Sequence, residues 1–149
     1  MTFEDDAALA AHVAGLLDAT LPKARWTHEG HIAAVAGLVL LHPALDIDAA
    51  LPGLIQRLND SHGVPNSDTR GYHETITRFF LAAIRDALSR DDSGAPAHRR
   101  VTALLGASGL AGGKQALAPY WSDAVLFSVA ARRGWVPPDL APLPWQAGA

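Results

Sequence analysis

The sequence predicts an all-α domain, and three observations carry that expectation. Alanine and leucine dominate, while β-branched residues are thin. No stretch alternates apolar and polar residues with period two for long, and four segments repeat apolar residues at helical spacing. The expected architecture is a compact bundle of four main helices within residues 1–89. Short helices and an irregular, Pro-rich C-terminal wrap follow over residues 97–149. With 149 residues and 49% apolar content, the chain is one domain's worth and can bury its own core.

The first helix is expected over Phe3–Asp18, with Glu4, Asp5 and Asp6 at its positive end and Leu9, Val13, Leu16 and Leu17 as its apolar stripe. The second starts at Thr27, a natural N-cap, and runs to Leu41. His42-Pro43 ends it, because the residue before proline is biased away from helix. The third spans Asp48–Asn59, capped by Asp46 or Asp48, with Leu51, Leu54, Ile55 and Leu58 inward and Pro52 in its first turn. A polar loop over residues 60–71 leads to the fourth, Gly71–Ser89, which Ser67 or Thr69 can cap. Short helices are expected over Ala97–Leu105, Lys114–Ala118 and Ser128–Arg133. Val136–Pro144, with four prolines, reads as an extended strap that Trp121 and Trp135 anchor.

Charge and composition exclude several function classes. The net charge of −3 argues against binding nucleic acid or acidic membranes through bulk positive charge. Without cysteine there is no disulfide, thiolate metal site, Fe–S cluster or cysteine nucleophile, so any metal must be held by His, Asp or Glu. The first residues are acidic where a signal peptide would be basic. The longest apolar run, Ile32–Leu41, has ten residues, whereas a membrane span needs about 20. The expectation is a soluble, cytoplasmic protein with no nucleic-acid or membrane partner.

Chemistry concentrates at two helix starts. Trp26-Thr27-His28-Glu29-Gly30-His31 opens the second helix, and Gly71-Tyr72-His73-Glu74-Thr75-Ile76-Thr77 opens the fourth. His28, His31, Val35, Leu38 and His42 share one face, and His73, Ile76, Thr77, Phe80, Ile84 and Ala87 share another. Packed side by side, the two helices bring three imidazoles together. Histidines at i, i+3 stand about 5–6 Å apart at Cβ, close enough to chelate one ion. A third from a facing helix completes a His₃ set with open positions for water or substrate. The expected centre is a mononuclear divalent ion (Zn, Fe, Ni or Cu) on His28, His31 and His73. Glu74 or His62 would handle protons there, and Tyr72, Trp26, Asn66 and Thr77 would line a small-molecule pocket.

Other readings stay open. Buried histidines commonly just hydrogen-bond to backbone or carboxylates; a metal-free pocket for a small anion and a non-enzymatic helical interaction protein are the functional alternatives. Glu74 lies about 100° around its helix from His73, so it can equally form an i, i+4 surface pair with Arg78. Glu29 faces away from both neighbouring histidines. The loop residues His62, Asn66, Asp68 and Thr69 fit either turn chemistry or a substrate-binding lip. Gly30 and Gly71 stand where another backbone or a ligand approaches closely. His28-Glu29-Gly30-His31 is one residue short of the H-E-x-x-H zinc motif, and no Glu-x-x-His occurs. The Gly106–Lys114 stretch imitates a phosphate loop but has Gln115 where Ser or Thr is required, and no elbow motif surrounds Ser108. Arg99-Arg100 and Arg132-Arg133 read as solvated doublets.

Trp26-Thr27-His28-x-x-His31 and Asn59-x-x-His62-Gly63-x-x-Asn66-x-Asp68-Thr69-x-Gly71-Tyr72-His73-Glu74-Thr75-x-Thr77 resemble a family of small, uncharacterised bacterial proteins. Pro119-Tyr120-Trp121-Ser122, Leu126-Phe127-Ser128, Ala131-Arg132 and Pro138-Asp139-Leu140-Ala141-Pro142 are similar to that family's C-terminal segment. The resemblance covers most of residues 26–143 and has its most distinctive element at Gly71–Thr75. It implies a site at the histidines and no particular activity.

Overall fold

The computed structural model describes residues 1–107 and 110–147. Ser108, Gly109, Gly148 and Ala149 lie outside the described residues, and with Ser108 goes part of the phosphate-loop imitation. The described residues form helices and turns and no strand.

α1 (Asp6–Leu17) starts later than the sequence suggests because Asp5 caps it, its carboxylate accepting the Ala8 N–H at 2.8 Å. Phe3, left outside the helix, turns into the core beside the His12 ring. α2 (His28–Leu41) begins where expected, with the Thr27 hydroxyl accepting the Gly30 N–H. α3 (Ile47–Ser61) is capped by Asp46. That start puts Pro52 in the second turn rather than the first, where its missing N–H omits one bond of the helical ladder. α4 (Glu74–Arg90) begins three residues after the expected Gly71, and neither Ser67 nor Thr69 caps it. Ser67 instead accepts the Thr69 and Arg70 N–H groups in its own turn. α5 (Ala97–Ala107) is a fifth substantial helix where a short one was expected.

Short elements follow. Leu110–Ala116 is a tight 3₁₀ turn that replaces the helix expected over Lys114–Ala118; it leaves helical geometry at Gly113, where φ is +65°. α6 (Asp123–Leu126) is not foreseen by the pattern. α7 (Val129–Arg133), capped by Ser128, is. A last turn, α8 (Pro144–Ala147), closes the strap.

α2 is the axis of the fold and packs against α1, α4 and α5. It is buried on all sides from Ile32 to Leu38, not along one stripe. Small side chains make this possible. A Cβ added at Gly37 would sit 2.4 Å from Val13 Cγ2, so α1 crosses α2 almost backbone to side chain. His12 ties the same pair: its Nε2–H donates to the Gly30 carbonyl at 2.9 Å. On α4 the buried face is Thr75, Phe79, Phe80, Leu81, Ala83, Ile84 and Leu88, while Ile76, Thr77 and Ala87 lie on its half-buried shoulder. The strap packs as expected. Trp121 is buried, donates from Nε1 to the Val136 carbonyl and meets Trp135 edge to face at 5.7 Å. No helix of the described residues is long and apolar enough to cross a membrane.

Candidate functional site

The loop before α4 is set by two residues. Asn66 uses its whole side-chain amide: Oδ1 accepts from Tyr72 N–H and Asn59 Nδ2, and Nδ2 donates to the Gln56 carbonyl and Asp60. Gly71 sits at φ +78°, where a Cβ would come within 2.3 Å of the Pro65 carbonyl. The turn so fixed delivers Tyr72 and His73 to the bundle.

His73 is the N-cap of α4. Its Nδ1 accepts the Ile76 N–H at 3.2 Å, and its Nε2–H donates to the Leu126 carbonyl at 2.7 Å. Both ring nitrogens are therefore occupied, which fixes the neutral Nε2–H tautomer. Burial pushes its pKa down, against the raising effect of the Leu126 bond. His28 is also tethered, with Nε2–H donating to the Leu110 carbonyl at 2.6 Å and the ring edge-on to Phe80. His31 differs. It makes no hydrogen bond to the described residues and stacks flat on Trp26 at 3.5 Å. Trp26 is in turn held by Nε1–H donation to Asn59. Burial first, then the His28 and His62 charges, press the His31 pKa down to about 3, so this imidazole is neutral.

The three histidines reach one cavity without gathering their ring nitrogens around one point, as the expected metal centre requires. His28, His31 and His73 line one cavity of about 310 Å³ together with Tyr72, Thr77 and Asn59. Its apolar wall is Ile55, Ile76 and Phe80, and its cations are Lys114 and Arg132. No carboxylate of the described residues lines it. Arg132 donates from Nη1 to the Gly71 and Tyr72 carbonyls. Its neighbour Arg133 is paired with Asp68, but no carboxylate of the described residues lies within ion-pair distance of Arg132. Among the half-buried cations Arg100 has Asp91, and Arg132 has none. Lys114 reaches over the Phe127 ring.

The other expected site residues fall elsewhere. Trp26 is the platform beneath His31. Asn66 organises the loop and lines a neighbouring compartment, as does Glu74. Glu74 accepts the Tyr72 hydroxyl at 2.7 Å and pairs with Arg78 at 3.6 Å. His62 donates to the Leu21 carbonyl and is not on the cavity wall. Glu29 is turned outward onto the Met1 amine. Among the described residues no group of three or more His, Asp or Glu side chains is placed to hold a metal ion. The reason is visible in His73, which would have to give up either the cap of α4 or the Leu126 carbonyl to become a ligand.

Sequence reasoning missed Arg132 and Lys114, taking one for a solvated doublet and the other for part of a failed phosphate loop. The only pointer to Arg132 was its place in the C-terminal segment of the resemblance. A larger cavity of about 470 Å³ lies between α4, the Leu110–Ala116 turn and α8. Its charged side chains, Asp86 and Arg90, are paired with each other. No protein family, curated protein or solved structure matches this chain.

Proposed function

We propose that the histidine cavity is a metal-free binding site for a small organic anion. The observation that carries this reading is Arg132, a half-buried cation with no carboxylate of the described residues within ion-pair distance, on the wall of a cavity that no acidic side chain of the described residues lines. The Asp68 charge acts on it only from the neighbouring compartment. Nη1 is committed to two loop carbonyls, which aims the guanidinium; Nε–H and Nη2–H make no bond to the described residues. That edge is the fork that grips a carboxylate or phosphate in two-point fashion. Lys114 adds a second charge at the rim, while Ile55, Ile76 and Phe80 receive apolar substituents. Of the three imidazoles, the neutral His31 has both ring nitrogens open to hydrogen bond with the occupant, whereas His28 has given Nε2 to the Leu110 carbonyl and His73 has both nitrogens engaged.

Calorimetric titration of the full chain with 4-methylpentanoate and with inorganic phosphate tests this, alongside Arg132→Gln. Saturable binding of one anion that weakens at least tenfold in the variant is expected. The competing metal reading is checked on protein purified without a polyhistidine tag. Stoichiometric Zn, Fe, Ni or Cu that disappears in His28→Ala and His31→Ala would replace the anion reading with the metal one.

A further inference from the structure

The cavity has a neighbour. A second compartment of about 260 Å³ is lined by Gln56, Asn66, Ser67, Glu74 and Arg133, among others, and it shares two residues with the first: Tyr72 and Arg132. Tyr72 is the partition. It takes part in the histidine cavity, while its hydroxyl is tied to Glu74, which lines the outer side only. Arg132 is therefore within reach of an occupant from either compartment.

The two compartments differ in character. The inner one offers Ile55, Ile76 and Phe80 and suits an apolar group. The outer one is polar, and most of its polar groups are already satisfied. Asp68 holds Arg133, Glu74 holds Tyr72 and Arg78, Asn66 has four bonds, and Ser67 accepts two backbone N–H groups. Two groups are exceptions, the Nε–Nη2 edge of Arg132 and the side-chain amide of Gln56, which bonds to none of the described residues. A primary amide both donates and accepts, so its natural complement is another amide.

Resting on the anion reading, we infer that the occupant is an N-acylated α-amino acid with an apolar side chain. Its carboxylate sits on the Arg132 fork at the partition, its side chain enters the inner cavity, and its amide arm lies against Gln56 in the outer compartment. One tetrahedral carbon carries all three groups, which matches a single cation flanked by one apolar and one polar chamber.

The test compares N-acetyl-L-leucine with 4-methylpentanoate, which keeps the carboxylate and the branched side chain but lacks the amide. Calorimetry on the wild-type chain is expected to show the acylated compound binding about tenfold tighter, the effect of one or two good hydrogen bonds. Gln56→Ala, whose folding is checked by circular dichroism, should erase that advantage and leave 4-methylpentanoate binding unchanged. Equal affinities in the wild type, or an advantage that survives Gln56→Ala, would overturn the two-chamber inference while leaving the anion site standing. Failure of both compounds to bind, or binding indifferent to Arg132→Gln, would overturn the anion site together with it.

Discussion

The bundle around α2 and the segment from Leu110 to Ala147 share one apolar core, to which Leu117, Trp121, Leu126 and Leu143 contribute, but differ in how much polar bonding is added to it. Around α2 the contacts are apolar and close: Leu9, Val13, Leu16, Leu38 and Leu58 have no exposed surface, and small residues let the helices touch. The later segment is made of short turns, and much of its attachment is polar. His28 and His73 hold the Leu110 and Leu126 carbonyls, Thr75 holds Gly134 and Val136, and Arg132 holds Gly71 and Tyr72. The candidate site lies on the seam between the two. Two of the three imidazoles that suggested a metal centre, His28 and His73, serve as tethers, and the cation that completes the cavity comes from the tethered side.

The contrast can be broken from either side. Leu38→Ala, in the fully buried middle of α2, is expected to cost about 2–5 kcal/mol, read as a lowered urea midpoint for the whole molecule. Thr75→Val removes a buried hydroxyl that donates to the Gly134 carbonyl at 2.7 Å and accepts from Val136 N–H at 3.1 Å. It should cost about 1–3 kcal/mol and speed amide exchange at Val136 before any change in α1 or α2. Uniform acceleration across the chain would mean that the two regions unfold as one unit.

Acid should act on the seam as well. His12, His31 and His73 all have pKa values pressed below 6.5 by burial, His31 to about 3. Between those limits the unfolded chain takes up protons that the folded chain refuses, so stability falls as pH drops from about 6.5 towards about 3. His31→Gln should flatten that fall. Urea midpoints at several pH values across the window check it, and identical slopes would contradict the burial of a neutral His31. A finer comparison separates the two jobs of His73. His73→Asn keeps a capping oxygen for α4 and loses the bond to Leu126, whereas His73→Ala loses both. The alanine variant should be less stable by about 1 kcal/mol.

Helix existence was legible where a cap stands before an apolar pattern: Thr27 before the continuous apolar run of α2, Asp46 before the Leu51, Leu54, Ile55 and Leu58 stripe of α3. That His28, His31 and His73 reach one cavity was also legible, because the starts of α2 and α4 lie at one end of the bundle; that their ring nitrogens gather around one ion was a misreading. What the histidines do there was not legible. A ring nitrogen that accepts from Ile76 N–H, or donates to a carbonyl more than fifty residues away, leaves no trace in spacing. His73 was read as the third residue of a helix that in fact starts after it, because histidine is not among the usual capping residues. α2 misled in the opposite way: an all-round buried helix has no stripe, so its one-sided reading came from too few positions. Arg132 was invisible because its partners are loop carbonyls, which no side-chain pattern encodes.

The stack of His31 on Trp26 gives the site its own optical gauge. An indole 3.5 Å from an imidazole, with its N–H held by Asn59, emits according to the polarity and charge of that ring. Whatever enters the cavity must alter the environment of His31, and so the colour and yield of Trp26 emission. Trp121, Trp135 and Trp145 lie with the later segment, so replacing them by phenylalanine leaves a chain whose light reports on the cavity alone.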